Sequence, residues 1–130
     1  CVYYGDELGL AGGHDPHCRQ AMPWGDTASH DTETLELVRS LARLRADRIE
    51  LRRGATELKV QDDRMVAVAR GVGGAVTVLL NLADEERAVS HDTLAPGRYR
   101  DLLAGETLVH GDAALTVAGR CWRVVEELDS

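Results

Sequence analysis

The chain has no phenylalanine, one lysine, three prolines and three cysteines in 130 residues, and each scarcity excludes something. With two tryptophans and three tyrosines as its only aromatics, it can hardly assemble a flat stacking platform. The single lysine, arginines interspersed with acids and a formal net charge of −7 leave no cationic cluster for a phosphate backbone, so nucleic acid is not an expected partner. No apolar run reaches about 18 residues, so no membrane partner is expected either. No basic segment followed by an apolar stretch suggests a signal peptide. The chain opens on Cys1, not Met, so the true N-terminus and any targeting signal are expected upstream. Cys1, Cys18 and Cys121 are odd in number and share no spacing. They read as reduced, intracellular thiols, which makes the expected location cytoplasmic. The hydrophobic fraction of 44% and the charged fraction of 28% are those of an ordinary globular protein.

What is present concentrates first near the N-terminus. Tyr3-Tyr4-Gly5-Asp6-Glu7-Leu8-Gly9-Leu10 leads into Gly12-Gly13-His14-Asp15-Pro16-His17-Cys18-Arg19, then Met22-Pro23-Trp24. Val2-Tyr3-Tyr4 predicts a strand running into a glycine-rich turn and a loop that carries Asp15 and Arg19. A strand delivers polar groups to the mouth of a barrel or sheet in this way. A helix follows, with Asp31 or Ser29 as N-cap and Glu33 at its positive end. Leu35, Val38, Leu41, Ala42 and Arg45 fall at helical spacing, Leu37 and Leu44 widen the stripe, and the pattern fades at Ala46-Asp47. A strand, loop and helix alone would leave a sheet edge unpaired and an apolar helix face wet.

From about Gly54 the signals turn to β. Met65–Arg70 and Ala75–Asn81 flank Gly71-Val72-Gly73-Gly74 and predict a hairpin. Shorter strands are predicted at 88–90, 98–103, 107–109, 114–117 and 121–125. Turns are predicted at Asp84-Glu85-Glu86, Ala95-Pro96-Gly97, Ala104-Gly105-Glu106 and His110-Gly111-Asp112. Many short strands with regular turns suggest an antiparallel sandwich.

The N-terminal motifs resemble the end of the eighth barrel strand and the following loop in the α-amylase family of glycoside hydrolases, with the cyclomaltodextrinase and neopullulanase group the best likeness. Leu41-Ala42-Arg43-Leu44-Arg45, Leu51-Arg52-Arg53-Gly54, Val78-Leu79-Leu80-Asn81-Leu82 and Tyr99-Arg100-Asp101-Leu102-Leu103-Ala104-Gly105-Glu106 extend the resemblance over nearly the whole chain. It implies a mainly β fold: an antiparallel Greek-key β-sandwich (residues 54–130) preceded by the last βα unit of a (β/α)8 barrel (residues 1–53). A whole barrel needs roughly 250 residues and cannot fit here.

The resemblance implies the C-terminal part of a retaining glycosidase acting on α-glucosidic bonds in malto-oligosaccharides or cyclodextrins. Its partners would be an α-glucan oligosaccharide and the remainder of the catalytic barrel. In the family's order the reactive carboxylates precede Tyr-Tyr-Gly-Asp-Glu, so no catalytic residue is expected on this chain, which alone should be inactive. Asp6 and Glu7 are neighbours and would point apart on an extended segment, so they are expected to tie down turn amides instead. His14-Asp15 echoes a family His-Asp pair only in spelling. The family assigns the Asp and Arg of the loop motif, here Asp15 and Arg19, to glucose hydroxyls, a role that carboxylate and guanidinium chemistry suits. The alternative is that the two pair with each other at the loop base. Family members often carry a second arginine where this chain has Gln20, which leaves Arg19 as the one basic group on the loop. Trp24 could stack a sugar face or pack under the loop. Trp122 is expected in the sandwich core by strand alternation. His14, His17, Cys18 and His30 lack a second Cys/His pair, calcium would need an oxygen cluster, and neither Gly-rich run precedes a Lys-Ser/Thr helix, so no metal or cofactor is expected. A different class of function stays open: a stand-alone carbohydrate-binding or self-associating β-sandwich module, with a homodimer as the form that self-association would take.

Overall fold

The computed structural model describes residues 2–128, so Cys1 lies outside the described residues. Two compact units divide at Leu44/Arg45, inside the last turn of a helix.

In the first unit the strand expected at Val2–Tyr4 does not form. The chain turns there: the Asp6 amide donates to the Tyr3 carbonyl, and the Tyr3 amide to Asp6 Oδ2 at 2.8 Å. A strand needs a neighbouring edge, and no described residue pairs with this segment. Short 3-10 turns at Asp6–Leu8, His17–Arg19 and Thr27–Ser29 carry the chain to helix α1, Thr32–Asp47. Asp31 caps α1: its Oδ1 accepts from the amides of Glu33 and Thr34, and its Oδ2 from the Thr34 hydroxyl. The Ser29 hydroxyl donates to the Asp26 carbonyl instead, which decides between the two predicted caps. No residue of α1 is buried.

After the end of α1, the second unit holds the short helix α2 (Ile49–Arg53), then eight strands: β1 Thr56–Val60, β2 Met65–Arg70, β3 Val76–Asn81, β4 Arg87–Ala88, β5 Gly97–Asp101, β6 Thr107–His110, β7 Thr116–Val117 and β8 Trp122–Glu127. One antiparallel sheet has the order β1-β2-β3-β8-β5-β6, and β4 pairs with β7 in a second, two-stranded sheet. The predicted hairpin is β2–β3, with Val68 opposite Val78. Gly71, Gly73 and Gly74 all take positive φ in its turn, which is why that run is glycine. The last strand returns between β3 and β5, the crossed connection of a Greek key.

The core lies between the two layers, where Met65, Ala67 and Leu79 of the large sheet meet Val89, Leu94, Leu115 and Val117. Asn81 is buried among them and bridges the layers. Its Nδ2 donates to the carbonyls of Glu85, Val117 and Ala118, and its Oδ1 accepts from the Ala83 amide.

Trp122 is not core. It opens β8 at 36% exposure, while Val124 and Val125 further along are both buried. Both faces of β8 are covered at its centre, so alternation fails as a guide there. Residue 110, expected in a turn, ends β6 with its side chain buried. Strand β1, which had no counterpart in the sequence reading, pairs Leu58 with Val68 along the sheet edge.

Candidate functional site

The polar groups of the first unit gather on one short loop. Asp6 and Glu7 do what was expected of them: Glu7 Oε2 accepts from the Gly5 amide at 2.9 Å, beside the Asp6–Tyr3 bond. Gly5 needs positive φ to make this turn, which an L side chain would oppose. From the turn the chain enters the exposed loop 11–20. His17–Arg19 forms a 3-10 turn that brings Arg19 Nε to 3.4 Å from Asp15 Oδ1. The two candidate residues therefore meet as an exposed ion pair. Such a pair adds little to stability, so its value is as a prepared set of donors and acceptors.

Arg19 also lines a cleft of about 290 Å³ with Tyr3, Tyr4, Leu10, Cys18 and Gln20. Asp15 stands at its edge through the ion pair and does not line it. The rings of Tyr3 and Tyr4 lie 4.5 Å apart. Loss of solvent and the adjacent Tyr4 push the Tyr3 phenol above its usual range, so at neutral pH it is a hydroxyl able to donate. Gln20 Nε2 donates to the Ala11 carbonyl at 2.6 Å and pins the two sides of the loop together. Tyr3, Tyr4 and Gln20 were not singled out as site residues. Their signal was adjacency to the motif, since the turn at Gly5 folds the start of the segment back toward Arg19.

Trp24 is 81% exposed, so it does not pack under the loop. It lines a separate depression in the same unit with Met22, Thr27, His30, Leu35 and Arg39. The structure thus joins Asp15 to Arg19 and places Trp24 elsewhere. Among the described residues no group of three His, Cys, Asp or Glu side chains is placed to hold a metal ion. Cys18 and Cys121 are free and exposed.

No family model matches the chain. Individual proteins do. The chain is 36% identical over 110 residues to a cyclomaltodextrinase of Geobacillus thermopakistaniensis, covering 82% of this chain and 18% of that protein. It is 35% identical over 115 residues to neopullulanase 2 of Thermoactinomyces vulgaris, covering 85% of this chain and 19% of that protein. The chain belongs to the α-amylase family. A solved maltogenic amylase from S. marinus shares the fold with a TM-score of 0.76 at 23% identity, over 96% of this chain and 16% of that one. This α-amylase-family chain spans less than a fifth of the length of either of these two enzymes.

Proposed function

We propose that this chain is the C-terminal part of a retaining glycosidase that cleaves α-glucosidic bonds in malto-oligosaccharides or cyclodextrins. Residues 1–53 close the (β/α)8 barrel, and residues 54–130 form the sandwich that braces it. The catalytic carboxylates belong to the rest of the barrel, and the loop 11–20 lines one end of the substrate cleft. The observation that carries this reading is the Asp15–Arg19 pair, held at 3.4 Å beside a tyrosine-lined cleft, on a motif that resembles the family's.

The chemistry suits a sugar. Vicinal hydroxyls donate to a carboxylate while the guanidinium donates to ring and hydroxyl oxygens. A neutral polyol need not displace the ion pair; it can extend it. Trp24 offers an indole face to a glucose ring farther from the pair. Helix α1, with no buried residue, retains an apolar stripe through Leu35 and Val38 that a complete barrel would cover.

The test is steady-state kinetics on maltotriose with the full-length protein that carries this segment. Arg19→Ala removes charge-assisted hydrogen bonds worth about 1.5–3 kcal/mol, so kcat/KM should fall by about 10- to 150-fold. The isolated 130-residue chain should release no maltose or glucose. Unchanged kcat/KM in the variant, or turnover by the isolated chain, would refute the assignment.

A further inference from the structure

His110 ends β6 with its side chain 1% exposed, an unusual place for a titratable ring. Its Nδ1 accepts the Leu115 amide at 3.0 Å, so that nitrogen carries no proton. The neutral ring must then carry its proton on Nε2, which is buried without a hydrogen-bond partner. His91 packs edge-on against it with ring centroids 4.7 Å apart, and His91 Nε2 lies 3.1 Å from the Gly111 carbonyl. The Leu115 carbonyl in turn accepts the Val89 amide, and the next residues form the β4–β7 sheet through Arg87–Val117 and Ala88–Thr116. One imidazole nitrogen therefore holds the start of a two-stranded layer that has only two paired positions of its own.

We propose that His110 is an acid-sensitive latch: its protonation releases Leu115 and loosens the β4–β7 layer from the six-stranded sheet while that sheet stays folded. The second proton must go to Nδ1, because Nε2 already holds one. An Nδ1–H would then face the Leu115 N–H, donor against donor, inside the core. The charge would also be buried against the His91 ring.

The titratable and charged groups on the surrounding elements are His91 and Asp92 of the 90–94 turn, Arg98, Tyr99, Arg100 and Asp101 of β5, Arg123, Glu126 and Glu127 of β8 and Asp112 on the loop after β6. Of these, His91 is the one whose charge bears on His110. Burial and then His91 lower the affinity of His110 for a proton, with backbone groups of Leu94 and Ser90 acting weakly the other way. The folded value is thus depressed from 6.5. The latch is fully closed above the unfolded value and is lost as pH falls from there through the folded value. A second tie on β4, the Arg87–Asp62 ion pair at 2.6 Å, opens only in the carboxylate range, because Asp62 titrates below 3.8.

The test is amide hydrogen exchange by NMR on the 130-residue chain from pH 7.5 to 4.5, corrected for intrinsic exchange, with the imidazole nitrogens followed in parallel. Protection at Val89 and Leu115 should fall by up to tenfold per pH unit below about 6.5, as one-proton linkage requires, while Leu79 and Val124 in the large sheet hold theirs. In His110→Asn, whose Oδ1 accepts the same amide without titrating, this slope should vanish. A wild-type slope no steeper at Val89 and Leu115 than at Leu79 overturns the proposal. So does a His110 ring that titrates at 6.5 or above, a result obtained on the wild-type chain whether or not the variant folds.

Discussion

Asn81 should be the most costly polar side chain to alter in the second unit. The two N–H groups of its amide serve three carbonyls at 2.8, 2.9 and 3.0 Å, one N–H being shared, and its carbonyl accepts the Ala83 amide at 3.0 Å. Asn81→Ala would leave those backbone groups without their partner. A buried group left unsatisfied costs about 1–3 kcal/mol, and groups near the layer edge regain part of that from water, so the loss should total about 3–4 kcal/mol. That is a large share of a typical domain stability of about 5–15 kcal/mol. Asn81→Asp keeps the shape but turns a carboxylate oxygen toward three carbonyl oxygens. At neutral pH it should cost a further 1–2 kcal/mol or so, and acid should restore part of it as the protonated oxygen becomes a donor. Urea denaturation followed by far-UV circular dichroism reads this directly, with a midpoint shift of about 2 M for Asn81→Ala. A loss under about 1 kcal/mol in Asn81→Ala would refute the claim that this side chain ties the layers together. So would equal losses in the two variants at every pH.

Three further outcomes follow from single contacts. A methyl on Gly119 would overlap the Asp84 carbonyl oxygen, so Gly119→Ala should destabilise the second unit by about 2–3 kcal/mol in the same urea assay. Gly12, with open space around it, should accept alanine with little change. Hydrogen bonds from the Thr34 amide and hydroxyl hold the Asp31 carboxylate below 3.8 against the opposing effect of desolvation, with the Glu33 amide adding a lesser pull. Its folded value is depressed, so its contribution is present above the unfolded value and lost as pH falls through the folded one. Ellipticity at 222 nm should therefore drop in that acid range in the wild type, and Asp31→Ala should start lower and lose that step.

How much could be read from the sequence depended on whether a residue's partners lie near it in the chain. The β2–β3 hairpin was legible because apolar β formers flank a glycine run whose turn demands positive φ. The α1 boundaries were legible for the same local reason, with a carboxylate cap at Asp31 and a fading stripe at Asp47. Strand β1 was missed because Glu57 and Lys59 break up a short segment that belongs at an edge. Trp122 was misplaced because Val124 and Val125 are both covered, a condition that depends on elements tens of residues away. Asn81 and His110 were invisible as buried groups: Asn81 finds carbonyls 36 and 37 residues on, and His110 looked like part of a turn. At the loop, the motif named Asp15 and Arg19, and the fold added their 3.4 Å contact and the tyrosine-lined cleft. The expected strand at Val2–Tyr4 does not form because pairing is a property of two segments, and no described residue offers it an edge, the shortage that the lone strand, loop and helix already implied.

The role proposed for Asp15 and Arg19 is to hold a sugar for chemistry done elsewhere on the parent protein. A crystal structure of the full-length protein soaked with maltose measures this most directly. The expected result is an Asp15 carboxylate oxygen and an Arg19 nitrogen each within about 3.2 Å of the same glucose unit. A sugar bound in the catalytic cleft with both side chains turned to solvent would contradict it.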